Sequence, residues 1–158
     1  MVVVVPRHRT HFWFVDSLLQ PIAQNKENYY IRDTTHFINL SIENTPLSEA
    51  AILATLDGCS LCTNIPHEEG IEIVWPFYKE HYQSNLYLSL INFSLILTEN
   101  SFKFNNKHYL QTHGTAVVTK MAVAFSVIFM AHIEKQLLIA SPYKPFLWKR
   151  FIDDIFSV

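Results

Sequence analysis

Apolar residues recur at helical spacing in several stretches of the chain, and this pattern predicts most of its secondary structure. The spacing predicts helices over Phe14–Ala23, Thr34–Ile42, Leu86–Leu97 and Thr119–Ala140, although the composition of Leu86–Leu97 also leaves a strand open. Asp33 is the expected N-cap of the second of these helices. A further helix is expected to begin near Pro66, since proline suits a first turn, and to kink or end at Pro76. The last helix is apolar on most sides, which predicts that it is buried.

Shorter apolar runs, bounded by turn residues, predict strands. The expected order is a strand Ala51–Leu56, a loop Ser60–Pro66, a hairpin Ser101–Gln111 and two strands, Phe146–Phe151 and Ile155–Val158. The first strand is expected to be buried because it is apolar throughout. Asn105 and Asn106 mark the hairpin turn, since Asn tolerates positive φ. The whole order predicts an α+β fold, with an antiparallel sheet covered by helices on one face.

Composition narrows the class of protein. The chain has 158 residues, which indicates one domain or part of one. Hydrophobic residues make up 49% and charged residues 16%, which excludes a disordered chain. A net charge of −2 is not the basic balance of a free-standing nucleic-acid-binding domain, but nucleic acid remains open as a substrate.

Location is predicted from the cysteines and the apolar runs. Two cysteines form no disulfide framework and favour a reducing compartment. The four valines near the start precede the basic residues, which is not the order of a signal peptide. The apolar runs Leu86–Leu97 and Met121–Ile133 are shorter than the ~20 residues that span a bilayer. We therefore expect no membrane segment and an intracellular protein, nuclear or cytoplasmic.

Candidate chemistry lies in three of the five aspartates, which end or interrupt apolar strand runs: Asp57, Asp153 and Asp154. A buried ionised carboxylate needs compensation, and a divalent cation is the strongest candidate. Mg²⁺ is typically held by one or two carboxylates together with substrate phosphates. If the strand ending at Asp57 lies beside the Asp153-Asp154 hairpin, one carboxylate from each could bracket two metal ions ~3.5–4 Å apart. We expect Asp57 and Asp153 to lie on neighbouring strands with their carboxylates converging.

Two features of the aspartates leave a simpler interpretation open. Asp153 and Asp154 point to opposite faces if both are extended, so they cannot serve equally. The pair could also be a solvated two-residue hairpin turn, because Asp is common in turns. Asp57 could itself be a turn residue, since Gly58 follows it.

Four stretches, in this order, resemble the reverse transcriptase of Penelope-like retroelements. They are FVDSLLQPIAQNKENYYIRDTTHFI (Phe14–Ile38), TLDGCSLCTNIPHEEGI (Thr55–Ile71), FKFNNKHYLQTHGTAVVTKMA (Phe102–Ala122) and LWKRFIDDIFSV (Leu147–Val158). The resemblance implies that residues 1–158 form a partial polymerase palm with part of the fingers, ending just after the Asp-Asp motif. The downstream palm, the thumb and the endonuclease of many family members are expected to be absent.

The resemblance also implies an activity and its residues. Asp57, Asp153 and Asp154 match the polymerase carboxylates, which hold two Mg²⁺, with Mn²⁺ as an alternative. Such a site joins deoxynucleotides to a DNA primer on an RNA template. The residues carried over for nucleotide or template binding are Gly58, Cys62 and Gly114. Lys120, six residues after Gly114 and near the start of the long helix, could contact phosphate or could be a solvated lysine at a helix end.

The chain departs from the family pattern at several of these positions. Gly58 stands for a valine, and Cys62 for the aromatic residue that crowds the nucleotide sugar. Val117-Val118 stands for Met-Gly, and a β-branched residue in place of glycine would strain the backbone. We therefore expect a truncated or decayed copy that is inactive alone. Two alternatives are a non-enzymatic remnant and a metal-dependent phosphodiesterase, which would cleave nucleic acid without added nucleotides.

Overall fold

The computed structural model of the chain describes residues 3–4, 9–25, 29–44, 46–82, 86–116 and 119–158. Its elements are β1 (Val3–Val4), α1 (Arg9–Asn25), α2 (Thr34–Glu43), β2 (Ala54–Asp57), α3 (Leu61–Asn64), α4 (His67–His81), α5 (Leu86–Thr98), β3 (Ser101–Phe104), β4 (Lys107–Leu110), α6 (Lys120–Ala140), β5 (Trp148–Phe151) and β6 (Asp154–Ser157). The predicted α+β class is confirmed.

The long helix α6 is the centre of the core. It packs against α1, α3 and α4, and α5 packs on α1 and α4. Met121 and Phe125 of α6 are fully buried, as its apolar sequence predicts. The Thr119 hydroxyl caps α6 by accepting a hydrogen bond from the Ala122 N–H at 3.3 Å.

Helix α6 is also long and apolar enough to cross a membrane, judged by length and composition over Met121–Ala140. The expectation that no apolar segment reaches that length is therefore wrong, because the helix continues beyond Ile133 to Ala140. Half of the stretch is buried inside the structure. The core helix of a soluble protein passes the same test, so α6 is weak evidence for a membrane segment.

The described strands form two three-stranded antiparallel sheets, in the orders β1-β3-β4 and β2-β6-β5. The β3–β4 hairpin turns at Asn105 and Asn106, whose φ angles are 47° and 60°. Positive φ at both central residues is what a type I′ hairpin turn needs, so the prediction from this asparagine pair is confirmed.

Helices border both faces of the β2-β6-β5 sheet, not one face as predicted. On one face, the Arg150 side chain reaches Glu134 of α6. On the other, the Phe156 ring meets Phe37 of α2 edge to face, with centroids 5.2 Å apart. Helix α2 lies there because the chain just before it runs along β5, where the Ile31 N–H donates to the Arg150 carbonyl at 2.7 Å.

Three local predictions differ from the structure. The expected loop Ser60–Pro66 contains the short helix α3. Pro76 lies inside α4 and does not end it, which leaves the kink as the remaining expectation. Strand β2 is exposed and not buried, with Leu56 49% accessible, because among the described elements it contacts β6 alone and no helix packs closely on it. An apolar run is therefore not by itself a sign of burial.

Candidate active site

Two of the three candidate aspartates face each other across neighbouring strands. Strand β2 pairs with β6, and the register places Asp57 directly opposite Asp154. Side chains at directly opposed antiparallel positions share a face, with Cβ atoms about 4.5–5.5 Å apart. The strand ending at Asp57 thus lies beside the Asp-Asp hairpin as expected, but the expected partner Asp153 is wrong, because Asp154 takes the position opposite Asp57.

The turn before β6 separates the two consecutive aspartates. Ile152 and Asp153 are the turn residues between the paired Phe151 and Asp154, so Asp154 begins the strand. The solvated-turn interpretation thus fits Asp153 and is wrong for Asp154. The Asp153 carbonyl accepts a hydrogen bond from the Gly58 N–H at 3.0 Å, which places Asp153 beside the end of β2.

The same turn holds Ile152 in the left-handed region, at φ 56°. A β-branched residue at positive φ is an outlier. A type II′ hairpin turn needs positive φ at its first central position, where glycine is usual. The Arg150 guanidinium fixes this conformation in part, since Nη1 donates to the Ile152 carbonyl at 2.8 Å.

Arg150 and Glu134 form a fully buried ion pair that ties this turn to the core. Arg150 Nε lies 2.9 Å from Glu134 Oε1, and both side chains are 0% exposed. Arg150 Nη2 donates to the Val127 carbonyl of α6 at 3.1 Å, and the Trp148 indole donates to Glu134 Oε1 at 3.0 Å. From the sequence alone, the pair Lys149-Arg150 could face either nucleic acid or solvent. Both interpretations are wrong for Arg150, because its side chain is fully buried.

A cavity of about 480 Å³ opens over the face that carries Asp57 and Asp154. Phe37, Phe151 and apolar strand residues make up much of its lining, and Asp33 also borders it. Asp33 is committed to capping α2, where its carboxylate accepts from a backbone N–H at 2.8 Å. The sequence identifies Asp33 as a cap but gives no signal that α2 begins at this cavity.

The carboxylates of Asp57 and Asp154 are exposed, and within the described part of the chain neither makes a hydrogen bond or ion pair. Burial therefore does not force a cation on them, and that step of the sequence argument is wrong. They remain free to take a ligand from solvent. Asp153 is half-buried at the edge of this arrangement.

The residues around Asp57 and Asp154 meet the requirements of a metal site only in part. Among the described residues, no group of three or more His, Cys, Asp or Glu side chains could hold a metal ion. The opposed pair Asp57 and Asp154 supplies two carboxylates, the number that Mg²⁺ typically takes from a protein when substrate phosphates complete its shell. A cation here would depend on its substrate.

Gly114 has a structural reason to be glycine. Its φ is +67°, and a Cβ there would lie 2.3 Å from the Thr63 carbonyl oxygen. Its own N–H donates to the Ile65 carbonyl at 3.2 Å, and its carbonyl is 2.6 Å from His67 Nε2. The loop is thus packed against the segment that follows β2. A contact between Gly114 and nucleotide or template stays a prediction.

Two further predicted contact residues lie on the helices around this loop. Cys62 of α3 is half-buried, with its Sγ 3.2 Å from Ser126 Oγ of α6. Lys120 begins α6, and its side chain lies outside the described residues, as do Val117 and Val118. Nothing in the geometry assigns these residues a ligand.

No protein-family model matches this chain, and a search of curated proteins finds no match. The family resemblance therefore rests on the four sequence stretches alone.

Proposed function

We propose that the chain is a fragment of an RNA-directed DNA polymerase of the Penelope-like class, inactive without further palm and thumb. The observation that carries the proposal is the register that sets Asp57 opposite Asp154. These residues stand far apart in sequence and coincide with the two motifs in which the family resemblance places its catalytic carboxylates. The cavity over them has room for a ligand.

In this proposal Asp57 and Asp154 are the residues that would hold Mg²⁺, and Asp153 in the turn would complete the set. Bound there with the phosphates of a deoxynucleotide, Mg²⁺ would supply Lewis-acid chemistry, namely a lower pKa for the attacking primer hydroxyl and neutralisation of charge on the phosphate. The residues of the chain itself contribute by positioning the metal and the nucleotide. Its partners are an RNA template and a DNA primer inside the cell.

Metal binding tests the site directly. Mn²⁺ binding is measured by electron paramagnetic resonance with a deoxynucleoside triphosphate present. We expect Asp57→Asn and Asp154→Asn each to weaken protein-bound Mn²⁺ at least tenfold. The matched control is Asp33→Asn, which removes the same charge from the same cavity and leaves an equally good N-cap. Binding that survives Asp57→Asn and Asp154→Asn together contradicts the proposal.

Primer extension tests the activity. The chain alone should not extend a primer on an RNA template, since positioning supplies much of the rate in phosphoryl transfer. Fusion to the downstream palm and thumb of a complete relative should give extension that Asp57→Asn abolishes. A fusion without extension, whose Mn²⁺ site is intact, would favour a decayed remnant. Metal-dependent cleavage of nucleic acid without nucleotides would instead indicate a phosphodiesterase.

A further inference from the structure

A second cavity, of about 490 Å³, lies at the opposite end of β5 from the aspartate turn. We call it the lysine groove; it lies between the C-terminal half of α6 and the segment that leads into β5. Its polar rim and aromatic lining comprise Lys135, Lys144, Lys149, Tyr29, Phe146 and Trp148. The volume is within the range of about 300–1,000 Å³ that is usual for ligand pockets.

The groove is electropositive. Lys135 and Lys144 are exposed at its rim, and none of the described residues that line it is acidic. The nearest carboxylate along α6, that of Glu134, is fully buried and engaged with Arg150, so its charge is already compensated. An anionic ligand would therefore meet the exposed cations Lys135 and Lys144, and no acidic side chain among the described lining residues opposes it.

The aromatic residues of the groove differ in what holds them. Trp148 is half-buried, and its ring is anchored by the indole N–H on Glu134. Phe146 is 69% exposed, and it is held through its backbone, where the N–H donates to a Val158 backbone oxygen at 2.8 Å. The Tyr29 carbonyl accepts from the Arg150 N–H at 2.7 Å. A planar group that stacks on Phe146 therefore has only the two side-chain torsions of that residue to order.

We propose that the lysine groove binds single-stranded nucleic acid, with a base stacked on Phe146 and phosphates at Lys135 and Lys144. Fixed aromatic rings interleaved with cations are the usual platform for single strands, whose bases are free to stack. A duplex keeps its bases inside the helix, and an acidic peptide has carboxylates but few flat rings. The proposal uses none of the carboxylates of the candidate active site, so it goes beyond the proposed polymerase function.

The test is fluorescence anisotropy with a labelled oligothymidylate of about ten nucleotides, within the usual range for such sites. Low salt and a chelator remove any contribution from bound metal. Phe146→Ala should weaken binding about fivefold or more, the loss typical of one stacked base. Lys135→Gln with Lys144→Gln should lower the slope of log affinity against log salt by about 1.4, since each phosphate contact on a single strand contributes about 0.7.

The controls carry the same chemical changes elsewhere. Phe104→Ala removes a ring that is 49% exposed on the β3–β4 hairpin, and Lys79→Gln with Lys107→Gln removes two exposed lysines. These variants should bind like the wild type, and circular dichroism checks that all of them fold.

Three results would each overturn the proposal. The first is no binding by the wild type. The second is groove variants that match their controls. The third is competition by duplex DNA or polyglutamate as effective as that by the single strand. Loss of Mn²⁺ binding at the candidate active site would leave the proposal standing, which separates the two hypotheses.

Discussion

Substitution of Gly114 by alanine tests the packing that holds the loop after β2 against the rest of the site. A Cβ at this position would lie 2.3 Å from the Thr63 carbonyl oxygen and 2.4 Å from the Thr63 Cα. These are backbone atoms, so no rotamer change can relieve the overlap. The φ of +67° adds a second penalty that is independent of space.

The expected cost is a sum of three contributions. Left-handed backbone costs a non-glycine residue about 1–2 kcal/mol. Relief of the overlap by movement of the loop costs about 1–3 kcal/mol, as for an overpacked site. Such movement weakens hydrogen bonds of the loop, among them Gly114 N–H to Ile65 O and Thr115 N–H to Cys62 O, at about 1 kcal/mol each. We expect a loss of about 4–7 kcal/mol, or roughly 10–25 °C in Tm for a chain of this size.

Urea denaturation and calorimetry of the purified chain measure this loss. The matched control is Gly58→Ala, whose Cβ would lie 3.4 Å from its nearest neighbours on Asp153, an ordinary contact without positive φ. We expect that variant within about 1 kcal/mol of the wild type. If Gly114→Ala is as stable as Gly58→Ala, the packing against Thr63 is not as described. Gly114 would then need another explanation, such as the predicted contact with nucleotide.

Three further substitutions test the sheet and the core. Ile152→Gly should stay within about 1 kcal/mol of the wild type in urea denaturation, because relief of the positive φ at Ile152 offsets the lost side chain. The control Ile155→Gly in β6 should be clearly less stable, and equal losses in the two variants would contradict the strain at Ile152. Arg150→Met should lower the free energy of unfolding by about 3–5 kcal/mol, because it leaves the buried Glu134 carboxylate unpaired, and adding Glu134→Leu should recover most of that loss. A double variant no more stable than Arg150→Met alone would refute this account. Burial, and to a smaller extent the neighbouring Tyr78, raise the pKa of Tyr82. The contribution of Tyr82 to stability is therefore present below the usual tyrosine pKa near 10 and is lost as the pH rises further. Tyr82→Phe should flatten the alkaline part of a pH–stability profile, and an unchanged profile would contradict this prediction.

The sequence predicted correctly those features that are decided by residues adjacent in the chain. The Asn105-Asn106 turn and the Asp33 cap are set by neighbours in sequence, and both are confirmed. The prediction that β2 is buried was wrong because burial depends on which elements cover the faces of a strand, and the run Ala51–Leu56 cannot show this. Pro76 was expected to kink or end a helix, and α4 continues through it because its packing on α5 and α6 outweighs one missing hydrogen bond.

The sequence indicated which strands carry the aspartates, but not their pairing or their supports. Aspartates at the ends of apolar strands are a local signal, whereas the pairing of Asp57 with Asp154, and not with the expected Asp153, is set by the two-residue turn between β5 and β6. The partner of Arg150 lies sixteen positions earlier on α6, a separation that no spacing rule connects. A charged residue among apolar ones on α6 and another on β5 are unremarkable singly, and only the fold brings them into contact.

The buried Glu134 carboxylate connects the two surfaces to which we assign ligands. Its Oε1 accepts from Trp148, which lines the lysine groove, and from Arg150, which also donates to the turn that carries Asp153. Its Oε2 has no hydrogen-bond partner in the described part of the structure, so all its bonds converge on one oxygen. Leaving a buried acceptor unpaired costs about 1–3 kcal/mol, and a stability-only core would use an apolar residue here at less cost. Glu134 is therefore better explained as a residue that positions β5 than as one that stabilises the fold, because its single rigid acceptor oxygen fixes β5 through both Trp148 and Arg150.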